Sequence, residues 1–286
     1  MKLFHQITYF LLSLLKKWTS FLSPKTRYRF ANRLAGIIYR YIPVRQDLAH
    51  KNIKIAFPEW SHERIEKTIK NTYQFFTHNF VQFLAFPKSW DGVKLNASGI
   101  KLLDHSLEQK KGIIMISAHF GTWELFVKWV GNYWHNCVGV VHRQNNRGAD
   151  RFAREQRELC GVKHIFRKEP IEKMYNVLSQ NGIFCLVSDQ DAKKNGVFVD
   201  FFGKSASTHK GAALFHMKTK SPIIFGVCIQ TGFQQYQVEF LPVIPKSHTI
   251  QDITQAYTSI LEKIVRQHPE QYFWFHRRWK TKPISE

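Results

Sequence analysis

The spacing of apolar positions changes about 110 residues into the chain. Before that point, apolar residues recur with helical spacing over 26–41 and 61–85. Prolines interrupt this part of the chain at Pro43, Pro58 and Pro87. The pattern predicts a helical amino-terminal region.

From residue 112, short apolar runs alternate with segments of helical spacing. The predicted strands are 112–117, 137–142, 163–166 and 183–188, and the predicted helices are 122–134, 149–160, 169–180 and 207–219. Two later runs, 222–229 and 236–241, are joined by a turn that contains glycine and predict a hairpin, and a last helix is predicted at 252–268. The alternation predicts an α/β fold with a central, mostly parallel sheet flanked by helices. No low-complexity segment divides the chain, so we expect one domain over residues 24–286.

Residues 1–23 form an apolar segment of a different kind. The first apolar run contains His5 and Gln6 and is shorter than the roughly 20 residues that span a bilayer as a helix. Trp18 and Phe21 continue an apolar face beyond two lysines. We expect an interfacial helix that anchors the protein, with the lysines holding the body at the cytoplasmic face of the membrane. An ordinary amphipathic helix packed on the domain is the alternative.

Charge narrows the range of partners. The chain has 42 Lys and Arg against 21 Asp and Glu, a formal net charge of +21. Such an excess favours nucleic acid, acidic lipid headgroups or an acidic carrier protein. No RNP, KH or zinc-finger pattern is present, so nucleic acid is not expected. The four cysteines form no CxxC pair, which predicts reduced thiols rather than a disulfide framework or zinc site.

The candidate chemistry lies where the first predicted strand of the sheet ends. His119 follows that strand, and Glu124 lies five residues later at the start of a helix. Ligands of α/β sheets bind at the carboxyl ends of strands. A strand–loop–helix turn can return Glu124 to the imidazole, where a carboxylate fixes the tautomer and leaves the other nitrogen to accept a proton. A His/Glu pair at this spacing also arises by chance, and a satisfied loop histidine is the alternative.

The surrounding residues are more specific. The run SAHFGTWE at 117–124 resembles the first motif of the lipid A secondary (late) acyltransferases, a branch of the lysophospholipid acyltransferase superfamily. Further similar blocks follow in order at 141–146, 188–191, 196–203, Thr208, 221–222 and 271–280. Three residues depart from the family pattern: His142 stands at the usual Tyr, Gln144 stands at the usual Pro, and Arg147 is the third. These departures bear on acceptor preference.

The resemblance implies a function and a set of site residues. It implies a glycerolipid-acyltransferase-like fold, with His119 and Glu124 catalytic and with substrate binding by Arg143, Asp189, Phe202, Gly203 and Thr208. The implied donor is acyl carrier protein. The implied acceptor is a hydroxyl of an anionic glycolipid, a lipid A precursor, at the cytoplasmic face of the inner membrane. A lysophospholipid, aminolipid or other glycolipid is the alternative acceptor. No cofactor is implied, and His209, His216 and His276 show no ligand spacing, so no metal is expected.

Several of these roles have alternatives. Arg143 can bind a phosphate or carboxylate with two hydrogen bonds, or it can form a surface ion pair. The N–H of Gly203 can help to hold an oxyanion, or Gly203 can be a turn glycine. Arg277 and Arg278, beside Trp274 and Trp279, form either a rim for anionic headgroups or a structural cluster.

Overall fold

The computed structural model describes residues 3–134, 136–159 and 161–283. Residues 1–2 of the predicted anchor lie outside the described residues, and so do His135, Cys160 and residues 284–286 of the predicted domain. The helices are α1 (Leu3–Phe21), α2 (Pro24–Tyr41), α3 (Gln46–Ala56), α4 (His62–Leu84), α5 (Ile100–Glu108), α6 (Trp123–Tyr133), α7 (Arg147–Glu158), α8 (Ile171–Ser179), α9 (Gly211–Thr219) and α10 (Ile250–Gln267). The strands are β1 (Lys94–Ser98), β2 (Ile113–Ser117), β3 (Cys137–Val141), β4 (Lys163–Phe166), β5 (Ile183–Val187), β6 (Val197–Phe201), β7 (Lys204–Thr208), β8 (Ile223–Gly232) and β9 (Gln235–Pro242).

Side-chain caps begin several of the long helices. The hydroxyl of Ser23 accepts a hydrogen bond from the Thr26 N–H at the start of α2, and Pro24 occupies its first turn. Ser61 caps α4 and Thr249 caps α10 in the same way. Each cap satisfies a backbone donor that has no partner within its helix, which fixes where the helix starts.

Seven strands form one sheet in the order β1-β9-β8-β2-β5-β3-β4. The strands β8, β2, β5, β3 and β4 run parallel, while β9 is antiparallel to β8 and pairs in parallel with β1. This confirms the predicted α/β class with a mostly parallel central sheet, and it confirms the predicted hairpin of β8 and β9.

The core lies on both faces of the sheet. All five residues of β2 are buried, and they alternate between the two faces. Ile114 and Ile116 pack with the α9 residue Phe215 on one face, whereas Ile113 and Met115 pack with α5 and α6 on the other. Burying such a side chain stabilises the fold by roughly 1.5–3 kcal/mol. The middle of the sheet is therefore a rigid support for the loops at its edge.

A second, two-stranded sheet was not predicted. Strands β6 and β7 pair antiparallel around a two-residue turn, and β6 packs against α10. The predicted helix at 207–219 is thus wrong in its first residues, because Ser207 and Thr208 are buried at the end of β7 and the helix begins at Gly211. The edge strand β1 and helix α5 were not predicted either.

Helix α1 packs on the body through its polar side. The Tyr9 hydroxyl donates to Glu155 Oε2 over 2.7 Å, and Lys16 Nζ donates to Gln156 Oε1 over 2.5 Å. At Gly148, the first turn of α7 comes so close that an added Cβ would lie 1.8 Å from the His5 carbonyl oxygen. In the described parts of the chain, no helix combines the length and apolar character needed to cross a membrane.

Candidate active site

The loop between β2 and α6 is fixed by backbone contacts with two distant segments. The Thr122 N–H donates to the Cys228 carbonyl over 2.8 Å, and the Gly121 N–H donates to the Gln271 carbonyl over 2.8 Å. Gly121 has φ of +61°, and an added Cβ would lie 2.1 Å from the oxygen of Cys228, so only glycine fits here. On the other side, the Phe273 N–H donates to the carbonyl of His119 over 3.0 Å. The loop therefore presents the imidazole from a fixed backbone.

His119 Nδ1 lies 2.9 Å from Asp189 Oδ1. The two residues meet because β2 and β5 are parallel neighbours with Ser117 opposite Val187, and each residue lies two positions beyond that last pair. The Asp189 side chain is 4% exposed and the His119 side chain 32%. The structure thus joins the predicted catalytic base to Asp189, for which the sequence predicts contact with the acceptor hydroxyl or with Arg143, or a cap of the next turn, but not contact with His119.

The electrostatics of the pair suit a base. Burial on its own lowers the pKa of His119, but the charge and hydrogen bond of Asp189 outweigh it, and the pKa is raised overall. Burial likewise acts to raise the pKa of Asp189, and the neighbouring His119 reverses this, so that the pKa is lowered. The imidazolium form is therefore stabilised by an ionised carboxylate. No hydrogen bond from the described residues reaches His119 Nε2, which leaves that nitrogen for a substrate proton.

Glu124 does not hold the imidazole, which corrects the expected geometry. Its two oxygens accept from Arg157 on α7, with Nε to Oε2 at 3.0 Å and Nη2 to Oε1 at 2.6 Å. The Trp123 indole N–H also donates to Oε1 over 3.0 Å. A planar guanidinium that matches both carboxylate oxygens is the stronger partner. Glu124 still acts on His119 through its charge, which raises the pKa of the imidazole.

Arg143 lies at the same edge of the sheet, two strands from β2, just after the end of β3. It is exposed, and its guanidinium stacks over the Phe166 ring with the Cζ atom 4.2 Å from the ring centroid. The ion-pair alternative is not what the structure shows, because no carboxylate of the described residues lies within salt-bridge distance of this guanidinium. A stacked arginine keeps its donors available for an anionic group.

Phe202 and Gly203 form the turn between β6 and β7. Both have positive φ, of +59° and +70°. The Gly203 N–H donates to Asp200 Oδ1 over 3.0 Å, and the Phe202 N–H donates to Glu262 Oε2 over 2.6 Å. Because these amides are already paired, the structure supports the turn-glycine alternative and not an oxyanion donor.

Thr208 and the carboxyl-terminal aromatic residues are structural. The Thr208 hydroxyl is buried and accepts from Arg278 Nη2 over 2.5 Å, while Arg278 Nη1 donates to the Ser207 carbonyl over 2.7 Å. Trp274, Arg278 and Trp279 are all buried. The expected headgroup rim is therefore wrong for these three residues, and Arg277 alone of that cluster is exposed.

Comparison with known proteins shows the family of this chain. The family model described as bacterial lipid A biosynthesis acyltransferase matches residues 2–281. The chain belongs to this acyltransferase family. It is therefore a transferase of the EC 2.3.1 class, and the resemblance to the lipid A acyltransferases is confirmed.

Individual relatives are distant but cover most of the chain. A lipid A biosynthesis palmitoleoyltransferase of Escherichia coli K12 is 22% identical over 98% of this chain and 93% of its own length. A lipid A biosynthesis lauroyltransferase of the same organism is 23% identical over 90% of this chain and 86% of its own length. A phosphatidylinositol mannoside acyltransferase of Mycobacterium tuberculosis is 23% identical over 63% of this chain and 58% of its own length.

Some residues that shape the candidate site were not predicted. Asn79, in the last two turns of α4, donates to the Gly121 carbonyl over 3.2 Å and accepts from the Thr122 hydroxyl over 3.2 Å. Gln190 Nε2 lies 3.4 Å from His119 Nδ1, and the Trp123 and Phe273 rings flank the imidazole. Gln190 belongs to a motif that the sequence analysis identified. Asn79 does not, because a polar residue within a helix carries no signal for the distant loop that it contacts.

Proposed function

We propose that this acyltransferase moves a fatty acyl chain from acyl carrier protein to a hydroxyl of a lipid A precursor, at the cytoplasmic face of the inner membrane. The observation that carries the proposal is the pair of His119 and Asp189, with one imidazole nitrogen held by a buried carboxylate and the other open. This arrangement suits a base that serves an external nucleophile, and the acceptor hydroxyl is that nucleophile.

The reaction follows from the pair. His119 Nε2 removes the proton of the acceptor hydroxyl, whose oxygen attacks the thioester carbonyl carbon. The tetrahedral intermediate collapses, the C–S bond breaks, and the imidazolium returns its proton to the leaving thiolate. The ester bond replaces the thioester bond, and Asp189 stabilises the imidazolium between the two proton transfers. Arg143, stacked on Phe166 at the same edge, binds the anionic part of the acceptor.

Charge supports the choice of donor. An acidic carrier protein is attracted by a chain with a net charge of +21, and such attraction raises the rate of encounter. Coenzyme A is the competing donor. It shares the thioester but has no protein surface for recognition.

The outer face of α1 supports the proposed location at the membrane. A helix packed on a soluble body normally turns its apolar face inward, whereas α1 turns polar groups inward, with Tyr9 and Lys16 bound to α7. Large apolar side chains are left exposed along it: Leu3, Phe4, Ile7, Phe10, Leu11, Leu14, Leu15, Trp18 and Phe21. An exposed apolar strip with basic flanks is typical of a helix lying in a membrane interface.

The test is reconstitution with defined substrates. The full-length protein in detergent is given an acyl-carrier-protein thioester or the matching coenzyme A thioester, together with a lipid A precursor, and products are followed by mass spectrometry. We expect acylated precursor, formed faster from the carrier-protein thioester. Equal rates with both thioesters, or transfer to none of the lipid A precursors tested, would contradict the proposal.

A mannosylated phosphatidylinositol is the second candidate acceptor. Phosphatidylinositol mannoside acyltransferases are among the relatives, although over a shorter part of the chain. His142 and Gln144, beside Arg143, also depart from the pattern expected for lipid A enzymes. The same assay with this acceptor separates the candidates, because only the preferred acceptor should saturate at micromolar concentrations.

A further inference from the structure

Three metal-ligating side chains converge on the outside of the helical amino-terminal region, where α3 meets the first turns of α4. His50 lies on α3, and His62 and Glu66 lie on α4. A ligand atom from each of the three lies within 4.8 Å of the other two. None of them has a part in the acyl transfer proposed above. We propose that His50, His62 and Glu66 form a Zn²⁺ site.

The histidine geometry matches that of zinc. His50 Nε2 lies 3.2 Å from His62 Nδ1, with the two ring planes inclined at 49°. Zinc binds imidazole nitrogen at about 2.0–2.1 Å in tetrahedral sites, which places two such nitrogens roughly 3.3–3.4 Å apart. The spacing of the two nitrogens is therefore close to that of two ligands of one zinc ion.

Glu66 is already oriented by its neighbours. It follows His62 by four residues, so both side chains lie on one face of α4. Its Oε2 accepts from the Tyr39 hydroxyl over 2.9 Å and from Gln46 Nε2 over 3.5 Å. Such outer hydrogen bonds are what hold metal-ligating carboxylates in place. No hydrogen bond from the described residues reaches Oε1, which is the oxygen that we assign to the ion.

The types of ligand atom in the site favour zinc over other metal ions. Two imidazole nitrogens and one carboxylate oxygen suit zinc, whereas Mg²⁺ and Ca²⁺ prefer sites made of oxygen alone. Three protein ligands leave the fourth position of a tetrahedral ion to water. Because the site joins two helices and lies outside the catalytic loop, the ion acts on the fold.

The ion holds α3, which supports the edge of the sheet where His119 and Arg143 lie (the catalytic edge). On α3, the Asn52 amide donates to the carbonyls of Trp274 and His276, each over 2.7 Å. The residue before Trp274 is Phe273, whose N–H donates to the carbonyl of His119. Zinc bound between α3 and α4 therefore tightens the support of the segment that packs beside the catalytic histidine.

The experiment measures zinc binding directly. Tag-free, full-length protein in detergent is stripped with a chelator, freed of it, and titrated with Zn²⁺ in competition with a chromophoric chelator. We expect one tight site per chain, weakened at least about tenfold in His62→Ala and in Glu66→Gln. The matched control is His105→Ala, because His105 and Glu108 form an exposed pair on α5 that, among the described residues, is not part of a three-ligand cluster. This control should bind zinc like the wild type.

Two further readouts make the result decisive. Saturating zinc should raise the melting temperature of the wild type by a few degrees, reversibly on chelation, because the ion binds the folded state. Co²⁺ in place of zinc should give the visible absorption of a tetrahedral site in the wild type and not in His50→Gln. Wild-type zinc affinity in the His50, His62 and Glu66 variants, or tight binding abolished instead by His119→Gln, would overturn the proposal. Equal melting temperatures of the stripped variants and stripped wild type establish that the variants are folded.

Discussion

Asp189 Oδ1 lies 2.9 Å from His119 Nδ1, across the carboxyl ends of two paired strands. The contact joins residues 70 positions apart and depends on the register of the sheet. It also divides the roles of the two carboxylates near the histidine: Asp189 touches the imidazole, and Glu124 holds Arg157.

Replacing the base should remove activity without unfolding the protein. His119→Gln keeps an amide donor for the buried Asp189 carboxylate but cannot accept a proton. We expect the rate of acyl transfer to fall by about 10²–10⁴ or more, with circular dichroism and melting temperature close to those of the wild type. Near-normal turnover by a folded His119→Gln protein would contradict the mechanism.

The pH dependence should report the Asp189 contact. In the proposed mechanism His119 acts only when unprotonated, and its pKa is raised above the ordinary 6.5 because Asp189 outweighs burial. Activity should therefore fall with decreasing pH through a value above 6.5. In Asp189→Asn the negative charge is lost, so this acidic limb should move to lower pH while the maximal rate drops by about 10²–10⁴. The profile of kcat/KM against pH measures both effects, and an acidic limb at the same position in the variant would contradict them.

Glu124 should stabilise the folded protein through its ion pair with Arg157. The two side chains are 15% and 25% exposed, so we expect Glu124→Gln to destabilise the protein by on the order of 1–3 kcal/mol, between the values for exposed and buried pairs. Glu124→Gln and Arg157→Gln should be strongly non-additive in a double-mutant cycle of denaturant unfolding. The control is Glu108→Gln, in the exposed pair with His105, which should change stability little. Additive losses at Glu124 and Arg157 would show that the pair is not the reason for the effect.

The membrane proposal is tested by changing only the outer face of α1. Phe10→Asp with Leu14→Asp places two charges on the exposed strip and leaves the contacts of Tyr9 and Lys16 with α7 intact. We expect the protein to move from the membrane fraction towards the soluble fraction, because interfacial binding grows with buried apolar area. Tyr9→Phe, which removes one contact with α7 and no outer apolar group, should stay in the membrane fraction. Unchanged partition of the double variant would place the anchor elsewhere.

Salt should separate recognition of the donor from recognition of the acceptor. Raising the salt concentration from about 0.05 to 0.5 M shortens the Debye length from roughly 14 to 4 Å. The kcat/KM for the carrier-protein thioester should fall while kcat changes little, because steering acts on encounter. Arg143→Ala should instead raise the KM for the acceptor at every salt concentration. Donor kinetics that do not respond to salt, or a defect of Arg143→Ala confined to the donor, would contradict this division.

The parts of the structure that follow from local pattern were predictable. The alternating strands and helices from β2 to β5, the β8–β9 hairpin and the position of His119 at a strand end all lie where the apolar spacing places them. The β6–β7 hairpin was missed because the polar residues of β7, such as Ser205 and Ser207, carry no strand signal, and because α10, against which β6 packs, lies about 50 residues later in the chain.

The partners of the charged residues were not predictable, because they depend on which strands are neighbours. Asp189 reaches His119 only because β5 pairs with β2 at a particular register. Arg278 is buried because its acceptors at 207–208 come from the hairpin that sequence reasoning missed. A pair of oppositely charged residues in a motif, such as His119 and Glu124, indicates a site but does not identify which atoms meet.

The close contact of α1 with α7 at Gly148 has a consequence for how a lipid reaches the enzyme. α7 begins a few residues after Arg143, so the apolar strip of α1 and the catalytic edge belong to one rigid unit. If that strip lies in the bilayer as proposed, the height of His119 above the lipid is set by the protein. An acceptor then arrives by lateral diffusion with its chains still immersed. Lifting a chain of about 12 carbons into water would cost on the order of 10 kcal/mol at about 0.8 kcal/mol per CH₂, and a catalytic edge held at headgroup height avoids most of that barrier.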